Sequence, residues 1–280
     1  MATTIAKGVD NSPGEYALGY SHAEHHRLIR QATLFAPFTE GLFRDAGIGP
    51  GQHVLDLGSG VGDVSLLLAR MVGPSGDVVG IERDAMSITR ADARVRAAGF
   101  HNVSFREGDI AKIAIREDFD AVVGRLILEF LPDAGAAVAS LAGLIRPGGL
   151  LAIQDAYWGS LLQLTAGLPL FSKSVSLVYK CFQLSGAHVD MERILYRSFR
   201  EAGFPTPSLR IDVPVGDPAV FSQWTSDLMC SLLPQMQRHG LACDDVGELE
   251  MLSHRLESEL IERKMFGTAI GLVAAWSRKS

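Results

Sequence analysis

The sequence predicts an α/β fold built on a mostly parallel sheet with helices on both faces. Short apolar segments alternate with amphipathic stretches between His53 and Gln154, at the spacing of strand–helix–strand units. The chain has 280 residues, of which 47% are hydrophobic. That is enough for one large domain with a sizeable core, or for such a domain with a small second unit.

The first part of the chain contains the regular alternation. We expect strands at 54–57, 77–81, 102–105, 120–124 and 150–154, and helices at 63–71, 85–98 and within 133–145. Ahead of them, Ser21 and Glu24 form a capping box that starts a helix. Pro37 is expected to end this helix, and a second helix is expected over 38–46.

The pattern changes after Asp155. Apolar helical segments are expected at 158–185, 191–202, 217–233 and 244–263, and further strands at 208–213 and 268–276. Helices inserted among the last strands predict a helical cap over one end of the sheet.

Charge and cysteine content exclude several classes of function. The net charge is −6, without a basic block, which argues against a nucleic-acid partner. No apolar run approaches the ~18 residues of a membrane span, and the N-terminus lacks the apolar core of a signal peptide. Three cysteines without metal-like spacing favour a reduced, cytoplasmic protein without a metal site.

The strongest motif is the glycine-rich loop after the first strand, Asp56-Leu57-Gly58-Ser59-Gly60-Val61-Gly62-Asp63. Glycines in such a turn let a ligand approach the backbone. The spacing is G-x-G-x-G, whereas a dinucleotide fingerprint is G-x-G-x-x-G. Asp56 would repel a pyrophosphate but suits a ligand that carries an ammonium group.

With this loop, the chain resembles the class I S-adenosylmethionine-dependent methyltransferases. Four further motifs support the resemblance in the expected order, which are Gly80-Ile81-Glu82-Arg83, Glu107-Gly108-Asp109-Ile110, Phe119-Asp120-Ala121-Val122-Val123 and Leu144-Ile145-Arg146-Pro147-Gly148-Gly149-Leu150. The resemblance covers Tyr20 to Asp155 well and the rest in outline. It implies a Rossmann-like, seven-stranded sheet, S-adenosylmethionine as cofactor and S-adenosylhomocysteine as product.

The resemblance also implies a division of the chain. Residues 1–14 are expected to form a flexible arm, 15–50 the N-terminal helices that cover the cofactor, 51–156 the cofactor-binding core, and 157–280 the cap with the last helix and strands. A small-molecule acceptor is the expected partner. The oligomeric state stays open, with a homodimer as one option.

Cofactor-binding residues follow from the motifs. The resemblance implies that Glu82 binds the ribose hydroxyls and that Asp109 binds the adenine amino group. Arg125 is expected either to bind the cofactor carboxylate or to pair with Glu129. The full set is Tyr20, Gln31, Asp56, Gly58, Ser59, Gly60, Gly62, Glu82, Arg83, Gly108, Asp109, Ile110, Arg125 and Leu126.

The acceptor is less defined. Gly124-Arg125-Leu126-Ile127 stands where nucleobase amino-methyltransferases carry Asn-Pro-Pro-Tyr or Asp-Pro-Pro-Tyr. The chain resembles bacterial tailoring methyltransferases of secondary metabolism, which implies C-, O- or N-methylation of a small apolar or aromatic metabolite. Aromatic residues of the cap either pack in its core or line an acceptor site, and the candidates are Tyr157, Trp158, Tyr179, Phe182 and Trp224.

Methyl transfer needs alignment of the acceptor more than it needs a base. Candidate catalytic residues are His188, which is expected to face the acceptor, Tyr20 and Glu129. His25 and His26 are expected on a solvated helix face. Two alternatives remain: an atypical or non-catalytic S-adenosylmethionine-binding protein, and a nicotinamide-dependent oxidoreductase, which the loop spacing disfavours.

Overall fold

The computed structural model describes residues 18–112 and 118–280, so the expected N-terminal arm lies outside the described residues. Within them, the strands are β1 His53–Leu57, β2 Asp77–Glu82, β3 Val103–Glu107, β4 Phe119–Arg125, β5 Ile145–Tyr157, β6 Ser208–Asp212, β7 Val215–Gly216, β8 Gly267–Thr268 and β9 Gly271–Arg278. The α-helices are α1 His22–Ala46, α2 Asp63–Val72, α3 Ala85–Ala97, α4 Ala134–Ala142, α5 Trp158–Leu164, α6 Pro169–Leu184, α7 Met191–Glu201, α8 Pro218–Arg238 and α9 Leu252–Glu262.

Seven strands form one sheet in the order β3-β2-β1-β4-β5-β9-β6. The pairs from β3 to β5 are parallel, and β9 is antiparallel to both β5 and β6. The predicted Rossmann-like, mostly parallel seven-stranded sheet is therefore confirmed. The strand order reverses at β1, between β2 and β4, and ligands of open α/β sheets bind at such a point, outside the carboxyl ends of the strands.

Both faces of the sheet are covered. Leu42 and Phe43 of α1 pack with Val54 and Leu68 on one face. On the other face, Leu55 and Val122 pack with Leu141 of α4 and Leu195 of α7. Since α7 packs on the sheet, it extends the covering layer and does not belong to the cap.

Helix α1 is longer than the sequence predicts. Ser21 caps it, with its side chain accepting a hydrogen bond from the Glu24 N–H at 3.1 Å. The predicted break at Pro37 is wrong, because α1 continues through Pro37 to Ala46. Pro37 is exposed while Phe35 and Thr39 are buried, so the missing N–H leaves a carbonyl on a face that water reaches.

The cap has its own core, formed by α5, α6, α8 and α9. The predicted segment 158–185 is two helices, α5 and α6, and the α-helical part of the predicted segment 244–263 is α9. In the described ranges 18–112 and 118–280, no helix has both the length and the apolar character that a bilayer span requires.

Candidate active site

One cavity of about 160 Å³ lies at the carboxyl ends of β1, β2 and β4. Its walls come from the glycine-rich loop after β1, the first half of α1 and the cap. A single space therefore joins the predicted cofactor motifs to the aromatic cap.

The loop after β1 depends on its glycines. Gly58, Gly60 and Gly62 have φ angles of 59°, 52° and 82°, in the left-handed region that favours glycine. A Cβ atom on Gly58 would lie 2.5 Å from Ile127 Cδ1. The loop is held against β2 by a hydrogen bond of 2.9 Å from the Ser59 N–H to the Ile81 carbonyl.

Glu82 joins this loop to the end of β2. Its Oε2 accepts a hydrogen bond from the Gly60 N–H at 2.9 Å. Its Oε1 accepts from the N–H groups of Arg83 at 2.8 Å and Asp84 at 3.0 Å. The carboxylate is thus fixed in the cavity wall before any ligand binds.

The end of β3 brings a second acid to the same cavity. The Gly108 N–H donates to the Glu82 carbonyl at 2.9 Å. The exposed side chain of Asp109 accepts from the Ala111 N–H at 3.0 Å, and the buried Ile110 lies beside it in the cavity wall. Acids that follow successive strands therefore meet at one edge, as the motifs predict.

Tyr20 lies above this edge. Its hydroxyl accepts a hydrogen bond from Arg83 Nε, and the Arg83 guanidinium lies over its ring at 5.7 Å from the centroid. Burial raises the pKa of Tyr20, so the phenol keeps its proton at neutral pH. This arrangement places Tyr20 and Arg83 beside the strand end that carries Glu82.

Asp56 and Arg125 lie at the carboxyl ends of β1 and β4, next to the glycine-rich loop. Asp56 Oδ2 accepts a hydrogen bond of 2.5 Å from Ser65 Oγ, and burial raises the pKa of Asp56 to about 7. Arg125 Nη1 donates to Thr39 Oγ1 at 3.4 Å. Burial lowers the pKa of Arg125, and Asp63 and Asp56 oppose that shift.

The end of β4 has an uncommon backbone. Leu126 adopts a φ of 53°, which is rare for a residue with a branched side chain and persists where the surrounding structure enforces it. Its N–H donates to the Gln154 carbonyl at 2.8 Å. Within the described residues, Arg125 makes no ion pair with Glu129, so the predicted alternative in which these two side chains pair is not found there.

The cap supplies an apolar wall. Phe182 is the centre of an aromatic group, with ring centroids 5.3 Å from Trp158 and 5.9 Å from Phe130. Three of the five predicted acceptor residues line the cavity, namely Trp158, Phe182 and Trp224.

Two predicted acceptor residues lie elsewhere. Tyr179 packs edge-on against the outer side of the wall, with its ring centroid 5.8 Å from that of Trp158. Tyr157 packs against the sheet cluster that contains Val273. Neither tyrosine is among the described residues of the cavity wall. Tyr157 ends strand β5 and Tyr179 belongs to α6, and the sequence does not reveal which neighbours pack against their side chains.

Glu129 faces the cavity beside the apolar wall. Burial and the nearby carboxylate of Asp155 raise its pKa well above the ordinary value. Asp155 accepts a hydrogen bond from the Ile127 N–H at 2.9 Å, and burial raises its own pKa to about 7. Backbone donors favour the charged form of Asp155, so the proton of this pair resides on Glu129.

The prediction that His188 faces the acceptor is wrong. Its ring atom Nε2 forms a hydrogen bond with the Leu131 carbonyl at 3.0 Å, and its backbone N–H donates to the Glu129 carbonyl at 2.8 Å. His188 is not among the described residues that line the cavity. It therefore holds the segment that contains Glu129 instead of contacting the acceptor.

Sequence reasoning also misplaced His25. It is buried, its Nε2 bonds to Ser87 Oγ at 3.1 Å, and it lines the cavity, whereas His26 is exposed as predicted. Burial and the nearby Arg90 lower the pKa of His25, so the ring is neutral at pH 7. His25 is adjacent in the chain to the exposed His26, and its ring centroid lies 6.2 Å from that of the exposed His22. The spacing of the histidines therefore gave no sign that His25 is buried.

Sequence reasoning missed Glu24 and Arg27. Both side chains are buried and joined by two hydrogen bonds of 2.6 and 2.7 Å. Arg27 lines the cavity and donates to Gln31 Oε1 at 2.7 Å. The i, i+3, i+7 spacing of Glu24, Arg27 and Gln31 was the available signal, since it places them on one helix face.

The residues present fit S-adenosylmethionine. Glu82 and Asp109 provide carboxylates at successive strand ends, and the loop provides a glycine backbone. Ser59 Oγ is buried at this loop without a hydrogen-bond partner in the described residues. Buried polar atoms are normally paired, and a polar ligand in the loop can supply the partner.

Residues 48–203 match the family model of the methyltransferase domain. The match covers more than half of the chain, and the chain belongs to this family of class I S-adenosylmethionine-dependent methyltransferases. S-adenosylmethionine is the cofactor of the family, in agreement with the motifs described above.

Particular relatives resemble parts of the chain. The arsenite methyltransferase of Aquipseudomonas alcaligenes is 37% identical over 115 residues, which cover 38% of this chain and 33% of that protein. The demethylmenaquinone methyltransferase of Staphylococcus aureus is 26% identical over 193 residues, covering 65% and 76%. The chain thus spans about a third of the length of the arsenite methyltransferase that it matches.

A solved structure shares the fold. The phosphoethanolamine N-methyltransferase 2 of Haemonchus contortus, in complex with phosphomonomethylethanolamine and S-adenosylhomocysteine, superimposes with a TM-score of 0.58 at 13% identity. The superposition covers 98% of this chain and 61% of that one. At this identity, the likeness concerns the fold alone.

Proposed function

We propose that the protein transfers a methyl group from S-adenosylmethionine to a small, largely apolar or aromatic acceptor. The observation that carries this proposal is the continuity of one cavity between Glu82 at the cofactor motifs and the aromatic wall of Trp158, Phe182 and Trp224. An apolar pocket with a few polar groups is typical of a small-molecule site.

The cavity wall favours an organic acceptor over arsenite. None of the chain's three cysteines is among the described residues that line it, and soft elements prefer thiolate ligands. Demethylmenaquinone, the compound in the name of the Staphylococcus aureus relative, points to acceptors with quinone-type rings.

When bound, S-adenosylmethionine supplies an electrophilic methyl group on a sulfonium. The protein's part is to bind and orient both molecules and to exclude water. Glu82 and Asp109 hold the nucleoside, and Asp56 and Arg125 hold the charged amino-acid end. Trp158, Phe182 and Trp224 enclose the acceptor.

Glu129 is the ionisable side chain next to the aromatic group. Because its pKa is raised, its carboxyl keeps a proton to higher pH than an ordinary glutamic acid, and in that form it donates a hydrogen bond to a polar atom of the acceptor. At higher pH, the ionised carboxyl accepts a proton from an acceptor that must lose one. A carbon acceptor that is already electron-rich needs no such step.

Calorimetric titration with S-adenosylhomocysteine tests the cofactor part of the proposal, with NADH as the control ligand. We expect micromolar binding of S-adenosylhomocysteine, weakened tenfold or more in Glu82→Ala. Asp92→Ala, which removes a half-exposed acid outside the cavity, should bind like the wild type. Tighter binding of NADH would reject the proposal.

Transfer is tested with S-adenosylmethionine that carries a tritiated methyl group. Phenols, indoles and reduced naphthoquinones are offered, and label is counted in the organic extract. Labelled product supports the proposal. Binding of S-adenosylhomocysteine without transfer to any offered acceptor would favour the atypical or non-catalytic alternative.

A further inference from the structure

The carboxamide of Gln31 is held in one orientation. Its Oε1 accepts hydrogen bonds from Arg27 Nη1 at 2.7 Å and from the Trp224 indole N–H at 3.2 Å. Arginine and tryptophan side chains donate and do not accept. Oε1 must therefore face both of them, and the Nε2 amide group must face away.

The partners of Gln31 are themselves fixed. Arg27 is joined to Glu24 through two hydrogen bonds, and both side chains are buried. Trp224 belongs to α8 and is 5% exposed. The ion pair on α1, which is neutral overall, and the buried indole on α8 thus fix the orientation of the Gln31 amide. Groups that are already fixed lose little conformational freedom when a ligand binds.

The two Nε2 hydrogens of Gln31 have no hydrogen-bond partner among residues 18–112 and 118–280. Gln31 is 8% exposed and lines the cavity. The Nε2 atom itself is not among the fully buried atoms of the described residues that lack a partner, so this donor is accessible to a molecule in the cavity. A ligand oxygen in the cavity would satisfy it.

The position of Gln31 assigns that oxygen to the acceptor instead of the cofactor. Gln31 bonds to a cap residue, and Leu28 and Leu228 of the same two helices line the cavity. Glu82 and Asp109 belong to β2 and to the turn after β3. The charge of Arg27 is paired with that of Glu24, which makes Arg27 a weak site for an anionic acceptor.

We propose that Gln31 is a specificity-determining residue that donates a hydrogen bond to an oxygen of a neutral, aromatic methyl acceptor. This inference rests on the proposed function. It narrows the acceptor to aromatic compounds that carry a carbonyl, quinone, ether or hydroxyl oxygen in addition to the atom that is methylated.

The test compares two probes of nearly the same shape, 1-indanone, which carries a carbonyl, and indane, which does not. Their affinities are measured by equilibrium dialysis with S-adenosylhomocysteine at saturation. The wild type should bind 1-indanone about tenfold more tightly than indane, the factor of one good neutral hydrogen bond.

Gln31→Glu keeps an oxygen for Arg27 and Trp224 but removes the amide donor, so the affinity ratio should fall to about one. Gln31→Met, which removes both polar atoms without adding charge, should show the same loss if the Glu variant folds poorly. Thr33→Ala, an exposed change on the same helix, should keep the wild-type ratio.

The outcomes separate the two proposals. Three results would overturn the role of Gln31 alone. The first is an affinity ratio near one in the wild type, and the second is a wild-type ratio that persists in both Gln31 variants. The third is no binding of 1-indanone by protein that does bind S-adenosylhomocysteine. A merely structural role would weaken both probes equally and leave the ratio at ten. Failure to bind S-adenosylhomocysteine overturns the proposed function itself.

Discussion

Burial raises the pKa of Glu129, and the neighbouring carboxylate of Asp155 raises it further, since two negative charges are unfavourable side by side in a buried site. Asp155 faces the backbone N–H groups that follow β4, and the Ile127 N–H donates to it at 2.9 Å. Glu129 instead faces the cavity. A protonated carboxyl is thus placed among aromatic side chains by a second carboxyl behind it.

This pair makes the stability of the protein depend on pH. Glu129 keeps its proton in the folded chain at pH values where the unfolded chain, with an ordinary pKa of about 4.3, has lost it. The folded state binds more protons, so the free energy of unfolding falls as pH rises above about 4.3. Urea denaturation between pH 5 and 8 should show this fall in the wild type and a flatter curve in Glu129→Gln.

The control for that series is Asp92→Asn, which makes the same carboxyl-to-amide change at a half-exposed site. Its curve should run parallel to that of the wild type. A Glu129→Gln curve that also runs parallel would show that Glu129 ionises normally in the folded chain.

The pKa of Asp56 predicts pH-dependent binding. A ligand ammonium group favours the charged form of Asp56, whose pKa is about 7 in the free protein. The affinity for S-adenosylhomocysteine should therefore increase about tenfold between pH 6 and 8. In Asp56→Asn, calorimetry should find weaker binding that is equal at both pH values.

Ser65→Ala provides a second variant at the same site. Ser65 donates to Asp56 at 2.5 Å and so lowers its pKa. Without this donor, the increase in affinity should move to higher pH. An affinity of the wild type that does not change with pH would contradict the assigned role of Asp56.

Two glycines with similar φ angles allow backbone strain to be separated from a steric clash. Gly58 and Gly99 have φ angles of 59° and 77°, and an alanine in this region costs about 1–2 kcal/mol. A Cβ on Gly99 meets nothing within 4 Å, whereas one on Gly58 lies 2.5 Å from Ile127. Gly99→Ala should lose only that strain energy, measured by urea denaturation, and keep its affinity for S-adenosylhomocysteine.

Gly58→Ala should be less stable than Gly99→Ala and should bind S-adenosylhomocysteine at least tenfold more weakly, because the loop must move away from Ile127. Calorimetry on the folded fraction measures this difference. Equal affinities of the two alanine variants would show that the loop does not need its observed shape.

His188 is expected to matter for stability and not for chemistry. His188→Ala removes the bond to the Leu131 carbonyl and should lower the free energy of unfolding by about 1 kcal/mol. The pH profile of kcat/KM, measured with an acceptor that shows transfer, should keep its shape. If one limb of the pH profile disappeared in His188→Ala, His188 would have to take part in the reaction.

The cofactor half of the site was predictable because its signals are local. Gly58, Glu82 and Asp109 each follow a short apolar strand, and parallel strands bring their carboxyl ends to one edge. The sheet follows from the same pattern. The first three motifs follow β1, β2 and β3, which are neighbours in the sheet in that order.

The acceptor half depends on packing between distant segments. His25 was predicted to be exposed but faces inward, and His188 was predicted to face the acceptor but bonds to a loop carbonyl. The Gln31–Trp224 hydrogen bond joins residues 193 positions apart. No periodicity in either helix specifies which of its faces meets the other, so tertiary contact decides the outcome.

The two parts of helix α1, before and after Pro37, have different contacts. The segment before it carries His25, Arg27 and Gln31 over the cavity, and the segment after it is anchored on the sheet through Leu42. Proline has no N–H to give to the carbonyl one turn back. The hydrogen bond that is missing at Pro37 therefore lies at the boundary between the segment that covers the cavity and the segment that anchors the helix on the sheet.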